Sequence, residues 1–213
     1  MHPLAFYPQT PRRWMIVNGA GGTVYLVRHG ETAWTLTGQH TGRTDLPLTP
    51  HGEGQARALA TRLQGLRFDE VLCSPLQRAL RTCQLAGFGR GARLEPELRE
   101  WDYGEYEGLK LPEIHGQRPG WELFRDGCPG GESPARITER ADRVVSRLRN
   151  LEGHALVFSS GHILRVLAAR WLAFSAEMAR YLGLDPAGVC VLGYDHGGAD
   201  RVIRLWNDTR REG

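Results

Sequence analysis

The stretch Val24-Tyr25-Leu26-Val27-Arg28-His29-Gly30 decides the fold class of this chain. Its first four residues form an uninterrupted apolar run, which is typical of a strand buried on both faces of a sheet. The last three residues end that run abruptly with a cation, an imidazole and a glycine, beside which a ligand can approach the backbone closely. Polar chemistry directly after a buried strand is typical of α/β proteins, whose binding sites form at the carboxyl ends of the strands.

Apolar runs alternate with amphipathic segments along most of the remaining chain. Further strands are predicted at 71–73, 155–158, 189–194 and 202–206. Helices are predicted to begin at Thr49-Pro50, Ser74-Pro75, Ser133-Pro134 and 159–162, where capping residues precede apolar positions at helical spacing. This order of elements predicts an α/β fold: a three-layer sandwich with a mostly parallel central sheet flanked by helices on both faces.

Two segments interrupt the regular pattern. Residues 1–22 contain three early prolines and a glycine-rich end, which predicts a loosely ordered N-terminal extension. Between about residues 95 and 131, glycines, prolines and aromatic residues follow neither a helical nor a strand period, which predicts an ordered insertion that covers a site. Residues 23–213 are therefore predicted to form a single domain that contains this covering segment.

Composition excludes several classes of protein. The formal net charge of +3, from 27 basic and 24 acidic residues, is too small to predict nucleic-acid binding. The four cysteines form no C-x-x-C pair, so neither a zinc site nor a redox motif is predicted. The N-terminal segment is too polar for a signal peptide or a membrane span. We therefore expect a cytoplasmic protein with no membrane or nucleic-acid partner, and the oligomeric state stays open.

Arg28 and His29 together suit phosphoryl chemistry. A neutral imidazole can attack phosphorus, and an adjacent guanidinium can hold two phosphoryl oxygens while charge spreads over them in the transition state. The alternative interpretation is a surface Arg-His pair at a strand end. Histidines without such a context, His40 among them, are interpreted as surface or structural residues.

Three further positions extend this pattern, and together they resemble the histidine phosphatase superfamily, the phosphoglycerate-mutase-like group, over about residues 24–207. The resemblance implies a second arginine on the helix after the second strand, which is Arg78 here. It implies a second histidine after a late strand, which is His162 in Ser160-Gly161-His162. It also implies an acid in the covering segment, which is Glu100 in Glu100-Trp101-Asp102-Tyr103-Gly104. The rival acids are Asp102, Glu105 and Glu107.

A two-step hydrolysis of a phosphomonoester follows from the resemblance. His29 would attack phosphorus, Glu100 would protonate the leaving oxygen, and the same carboxylate would then activate the water that hydrolyses the phosphohistidine. Arg28, Arg78 and a cationic His162 would neutralise the equatorial oxygens. Neither a metal ion nor another cofactor is expected.

Two positions depart from the mutases of the same superfamily. Thr35 stands where mutases usually carry an asparagine, and Trp101 stands where they carry an arginine directly after the acid. Both changes weaken recognition of a carboxylate, and the short covering segment should admit water. The motifs are most similar to the sedoheptulose-bisphosphatase-like branch. We therefore expect a phosphatase that acts on a small phosphorylated metabolite, either a sugar phosphate or a sugar bisphosphate.

Several residues outside the catalytic set are candidate substrate contacts. Besides Arg28, Arg78 and His162, they are Thr35, Gln39, Thr41, the backbone amide of Gly42, and Tyr103. The segment 38–42 is equally consistent with a simple turn. A cofactor-dependent phosphoglycerate mutase, a phosphoprotein phosphatase and a phospho-ligand-binding module stay open as alternatives, although a non-catalytic module would be expected to lack His29 or Glu100.

Overall fold

A six-stranded sheet forms the centre of the structure, a computed structural model that describes residues 22–210. The strands are β1 (Val24–Arg28), β2 (Glu70–Cys73), β3 (Ala92–Leu94), β4 (Ala155–Ser159), β5 (Val189–Asp195) and β6 (Asp200–Asp208). Their order is β3-β2-β4-β1-β5-β6; β5 runs antiparallel to both of its neighbours, and the other five strands share one direction. The predicted mostly parallel sheet is confirmed.

Helices cover both faces of this sheet, as predicted. They are α1 (Ala33–Thr37), α2 (Pro50–Arg62), α3 (Gln77–Leu85), α4 (Leu111–Gln117), α5 (Leu123–Asp126), α6 (Pro134–Arg149) and α7 (Gly161–Trp171). Alternation along β1 divides the core in two: Val24 and Leu26 pack on the side of α6 and α7, while Tyr25 and Val27 pack on the side of α2 and α3. The three-layer arrangement follows from burial of both sheet faces.

The start of α3 differs from the sequence-based prediction. The pair Ser74-Pro75 was expected to cap this helix, but α3 begins at Gln77 and its N-cap residue forms no side-chain cap. The backbone N–H of Ser74 donates to the carbonyl of Phe158 at 2.9 Å, so Ser74 still belongs to the sheet edge. Asp45, from a distant loop, accepts the Gln77 N–H at 2.8 Å instead.

The covering segment contains two 3-10 turns, Pro96–Leu98 and Gly104–Tyr106, together with α4 and α5. Its aromatic residues Trp101, Tyr103 and Trp121 are buried, which explains why an irregular stretch is ordered. The predicted N-terminal extension lies, except for Gly22, outside the described residues. Between residues 22 and 210, no helix combines the length and the apolar character needed to cross a membrane.

Candidate active site

The carboxyl ends of β1 and β4 bring the predicted motifs together. The two strands are parallel neighbours with Arg28 opposite Ser159, and the N–H of His29 donates to the carbonyl of Ser159 at 2.8 Å. A cavity of about 210 Å³ opens at this edge. Its walls include these predicted site residues: Arg28, His29, Thr35, Gln39, Thr41, Glu100, Tyr103 and His162. Arg78 and Gly42 are buried beyond this lining.

His29 has the environment of a nucleophile. Its side chain is buried, and Nδ1 lies 2.7 Å from the carbonyl of Gly30. A carbonyl only accepts, so Nδ1 carries the proton and Nε2 keeps its lone pair. Burial, with further contributions from Arg78 and Arg28, holds the pKa of His29 well below its usual range. The imidazole is therefore neutral, as an attack on phosphorus requires.

This burial predicts a loss of stability in mild acid. Burial also lowers the pKa values of His40 and His162, whereas in the unfolded chain all three histidines titrate near 6.5. Below that pH the unfolded state binds more protons than the folded state, so the free energy of unfolding should fall by up to about 1.4 kcal/mol per pH unit for each histidine. Urea unfolding at pH 7.5, 6.0 and 5.0 measures this slope.

The titration of Asp126 and Asp208 lies outside the pH range in which the histidines change the free energy of unfolding. Ion pairs with Arg125 and Arg210 lower the pKa values of Asp126 and Asp208 to about 2, so these groups lose their contribution only in stronger acid. The exposed His196 has a raised pKa, which gives a small slope of opposite sign in the same range. A free energy of unfolding that stays constant or rises from pH 7.5 to pH 5.0 would contradict the neutral state of His29, His40 and His162.

Half-buried Arg28 and fully buried Arg78 supply positive charge beside His29. One Nη of Arg28 donates to the carbonyl of Leu184, and both Nη atoms of Arg78 donate at 3.0 Å to carbonyls of the loop 41–44. The Nε of each arginine is buried without a hydrogen-bond partner. Neither guanidinium forms an ion pair with a carboxylate within residues 22–210. Buried, unpartnered donors on two cations suit a phosphoryl dianion.

Glu100 is the one acid of the four candidates that lines the cavity with His29. Its Oε2 accepts the N–H of His162 and its Oε1 accepts the N–H of Ile163, both at 2.9 Å, so the carboxylate occupies the N-terminus of α7. The rival acids have other partners or positions. Asp102 pairs with Arg43, Glu107 accepts the amides of Gly42 and Thr44, and Glu105 is exposed.

His162 lies in an aromatic wall of the cavity. Its Nδ1 is hydrogen-bonded to the hydroxyl of Tyr103, and its ring stacks on His40 with the centroids 6.3 Å apart. Burial, with contributions from Arg165 and His40, lowers the pKa of His162 well below its usual range. This shift favours a neutral imidazole at His162. The cationic state expected of His162 beside a bound phosphate stays a prediction.

The other predicted substrate contacts already have partners inside the protein. Thr35 forms a capping box with Thr32 at the start of α1, and the Gln39 side-chain amide donates to the carbonyl of Gly108 at 2.9 Å. The Thr41 hydroxyl donates to the carbonyl of Gln39 at 3.3 Å. The amide of Gly42 donates to Glu107 at 2.8 Å, so the structure does not place this amide in the cavity.

Among the cavity-lining residues that the motifs did not indicate, two carry ionisable side chains, His40 and Arg165. His40 was interpreted as a surface or structural residue because no motif surrounds it. Arg165 follows His162 by one turn of α7, and its guanidinium lies over the ring of Phe124, 4.7 Å from the centroid. The spacing of three residues on a predicted helix was the available signal for Arg165.

Arg140 on α6 holds the acid-bearing segment in place. Its Nε and Nη2 donate to the carboxylate of Glu132 at 2.7 and 2.8 Å, and its Nη atoms also reach the backbone carbonyls of Glu97, Arg99 and Glu100. The side chains of Arg140 and Glu132 are each only 11% exposed. Removing the arginine would leave three carbonyls without this donor and a buried carboxylate with the N–H of Asp102 as its remaining partner.

We expect Arg140→Ala to lower the free energy of unfolding by about 3 kcal/mol, because it breaks a buried ion pair. Arg143→Ala is the matched control, since Arg143 lies one turn further along α6 and pairs with Glu97 at the surface. That change should cost less than about 1 kcal/mol. Urea unfolding measures both values. Equal losses in the two variants would contradict the role assigned to Arg140.

The part of the chain that the structure describes contains no group of three or more His, Cys, Asp or Glu side chains arranged to hold a metal ion. Metal independence of the reaction stays a prediction that only an activity measurement can test.

Comparison with known proteins agrees with the site geometry. A family model described as the histidine phosphatase superfamily (branch 1) matches residues 24–209. An acid phosphatase of Mycobacterium tuberculosis is 39% identical over 176 residues, covering 81% of this chain and 86% of that protein. A sedoheptulose 1,7-bisphosphatase of Saccharomyces cerevisiae is 37% identical over 185 residues, covering 71% and 68%.

The fold of the chain also matches that of a solved structure. The product of an open reading frame from M. tuberculosis superposes with a TM-score of 0.83 at 36% identity, covering 87% of this chain and 97% of that one. The matched fold and the match over nearly all described residues lead to one conclusion: the chain belongs to branch 1 of the histidine phosphatase superfamily and is an enzyme that hydrolyses phosphate esters.

Proposed function

We propose that this enzyme hydrolyses a small phosphorylated metabolite, of the sugar phosphate or sugar bisphosphate class, through a phosphohistidine at His29. One observation carries the proposal. A buried, neutral imidazole with its Nε2 lone pair free lies beside two guanidiniums that each keep a buried, unpartnered Nε–H. A nucleophile and two cationic donors in a small cavity fit in-line attack on a phosphoryl group.

The residues divide the proposed reaction between them. His29 Nε2 attacks phosphorus while Arg28 and Arg78 bind the equatorial oxygens, on which charge accumulates. Glu100 transfers a proton to the leaving oxygen and then takes one from the water that hydrolyses the phosphohistidine. His162 acts from the aromatic wall of the cavity. The Tyr103 hydroxyl can donate to its Nδ1, which leaves Nε2–H as a donor for a substrate oxygen.

The space beyond Glu100 supports a substrate larger than phosphate. Glu100 also lines a neighbouring cavity of about 490 Å³. Four arginines line that cavity: Arg43, Arg99, Arg136 and Arg140. Arg43 and Arg140 are paired with acids, whereas Arg99 and Arg136 are exposed and pair with no carboxylate in the described range. Two guanidiniums without a carboxylate partner in this cavity suit a second phosphate, and one relative is named a bisphosphatase.

The proposal includes the domain organisation of the enzyme, its compartment and its partners. Residues 23–213 are taken as one domain, and the cytoplasm is favoured because all four cysteines are free thiols. The small net charge of +3 gives no reason to expect a nucleic-acid partner. No cofactor is assigned.

A substrate panel tests the function. Phosphate release is measured with p-nitrophenyl phosphate, sedoheptulose 1,7-bisphosphate, fructose bisphosphates and a phosphoserine peptide, with and without a chelator. In parallel, 3-phosphoglycerate primed with 2,3-bisphosphoglycerate is followed for isomer interconversion. We expect phosphate release, highest with sugar phosphates and unchanged by the chelator. Rapid interconversion of phosphoglycerates with negligible phosphate release would overturn the proposal in favour of a mutase, and preference for the peptide would favour a phosphoprotein phosphatase.

A further inference from the structure

Ser160 carries a buried hydroxyl that the protein itself does not use. The residue is 1% exposed, and its Oγ has no hydrogen-bond partner. Leaving a hydroxyl buried and unpartnered costs about 1–3 kcal/mol, so such groups are rare unless a ligand completes them. The position of Ser160, directly after β4 and directly before α7, places this group at the edge of the sheet that carries the candidate active site.

The usual role of a serine at this position is taken by another residue. Ser160 is the N-cap residue of α7, and an N-cap serine normally accepts the N–H of the second or third helical residue. Here those amides belong to His162 and Ile163, and both donate to the carboxylate of Glu100. The Ser160 hydroxyl is therefore left free for another partner.

The strand register, continued by one residue, directs this side chain to the same side of the sheet as His29. Arg28 opposite Ser159 is the last pair of the parallel ladder, and the N–H of His29 still donates to the carbonyl of Ser159, so His29 and Ser160 follow as neighbours. Neighbouring residues of paired strands project their side chains to the same face. Gly161 packs closely against the side chain of Arg28, because a Cβ on this glycine would lie 3.2 Å from the arginine Nε. That Nε is itself buried without a partner.

We propose that the Ser160 hydroxyl is a phosphate-binding group, which donates a hydrogen bond to an equatorial phosphoryl oxygen together with the Nε–H groups of Arg28 and Arg78. This inference rests on the proposed function and adds a residue to it. The three unpartnered donors then have one common explanation, a bound oxyanion. The site gains a neutral donor that needs no change of protonation, whereas His162, in the aromatic wall of the cavity, is left to contact the rest of the substrate.

Ser160→Ala tests this assignment. We expect the melting temperature of the unliganded protein to stay constant or rise, because the variant removes a buried group that has no partner. The affinity for inorganic phosphate and for orthovanadate, measured from the ligand-dependent shift of the melting temperature, should fall about 10- to 100-fold, and kcat/KM for p-nitrophenyl phosphate should fall by a similar factor.

Ser159→Ala is the matched control. Its hydroxyl donates to the carbonyl of Leu98 and is fully buried, so this variant should melt at a lower temperature and bind phosphate as the wild type does. The proposal is overturned if Ser160→Ala binds phosphate and vanadate with unchanged affinity, or if it loses stability without losing affinity. A wild type that hydrolyses no ester would refute the proposed function alone, because the binding measurement still decides the role of Ser160.

Discussion

Replacing His29 with alanine is expected to lower kcat for p-nitrophenyl phosphate by about three orders of magnitude or more, because the variant has no covalent nucleophile. The remaining charge of Arg28 and Arg78 can still bind the ester, so KM should change far less than kcat. Steady-state kinetics of the purified variant measures the loss.

The wild type should also yield a trapped intermediate. Rapid quenching during turnover of a ³²P-labelled substrate is expected to give a phosphoenzyme that is labile in acid and stable in alkali, as a phosphoramidate is. His196→Ala is a suitable control, since that histidine is exposed and pairs with Asp200 at the β5–β6 turn. An acid-stable adduct, or full activity in His29→Ala, would contradict nucleophilic catalysis by this residue.

The fold was predictable because each strand carries its own signal. The apolar run before Arg28 needs no tertiary information to be recognised as a buried strand, and the same holds for the run before Ser159. Parallel strands place their carboxyl ends at one edge of a sheet. The motifs that follow these two runs could therefore be predicted to lie close together. The strand β3 lacked such a signal, because its three residues lie at the sheet edge.

The sequence was sufficient to predict which residues form the site. The hydrogen bonding and protonation of those residues depend on contacts between parts of the chain that are distant in sequence. Nothing local indicates that Glu100 accepts amides from α7, or that this leaves Ser160 without its capping partner. The protonation of His162 likewise depends on burial beside Arg165 and His40. Desolvation and long-range hydrogen bonds are properties of the folded chain, so a short sequence motif does not predict them.

Glu100→Gln is expected to lower phosphate release from a sugar phosphate about 100- to 1,000-fold, because an alkoxide leaves poorly without a proton donor. With p-nitrophenyl phosphate, whose leaving group needs no proton, formation of the phosphoenzyme should fall only about 10-fold. Single-turnover measurements on both substrates separate this first step from hydrolysis of the phosphohistidine, which also needs the carboxylate as a base.

The ratio of the two losses is the decisive quantity, because the variant also disturbs structure. A glutamine amide can direct only one oxygen at the amides of His162 and Ile163, so its NH₂ group faces an N–H donor and the start of α7 is perturbed. That disturbance affects both substrates equally, whereas loss of proton transfer affects only the sugar phosphate. Glu107→Gln is the matched control, since Glu107 lies in the covering segment and accepts the backbone amides of Gly42 and Thr44 without lining the cavity. Equal losses on both substrates in Glu100→Gln would assign Glu100 a positioning role and move the search for the acid elsewhere.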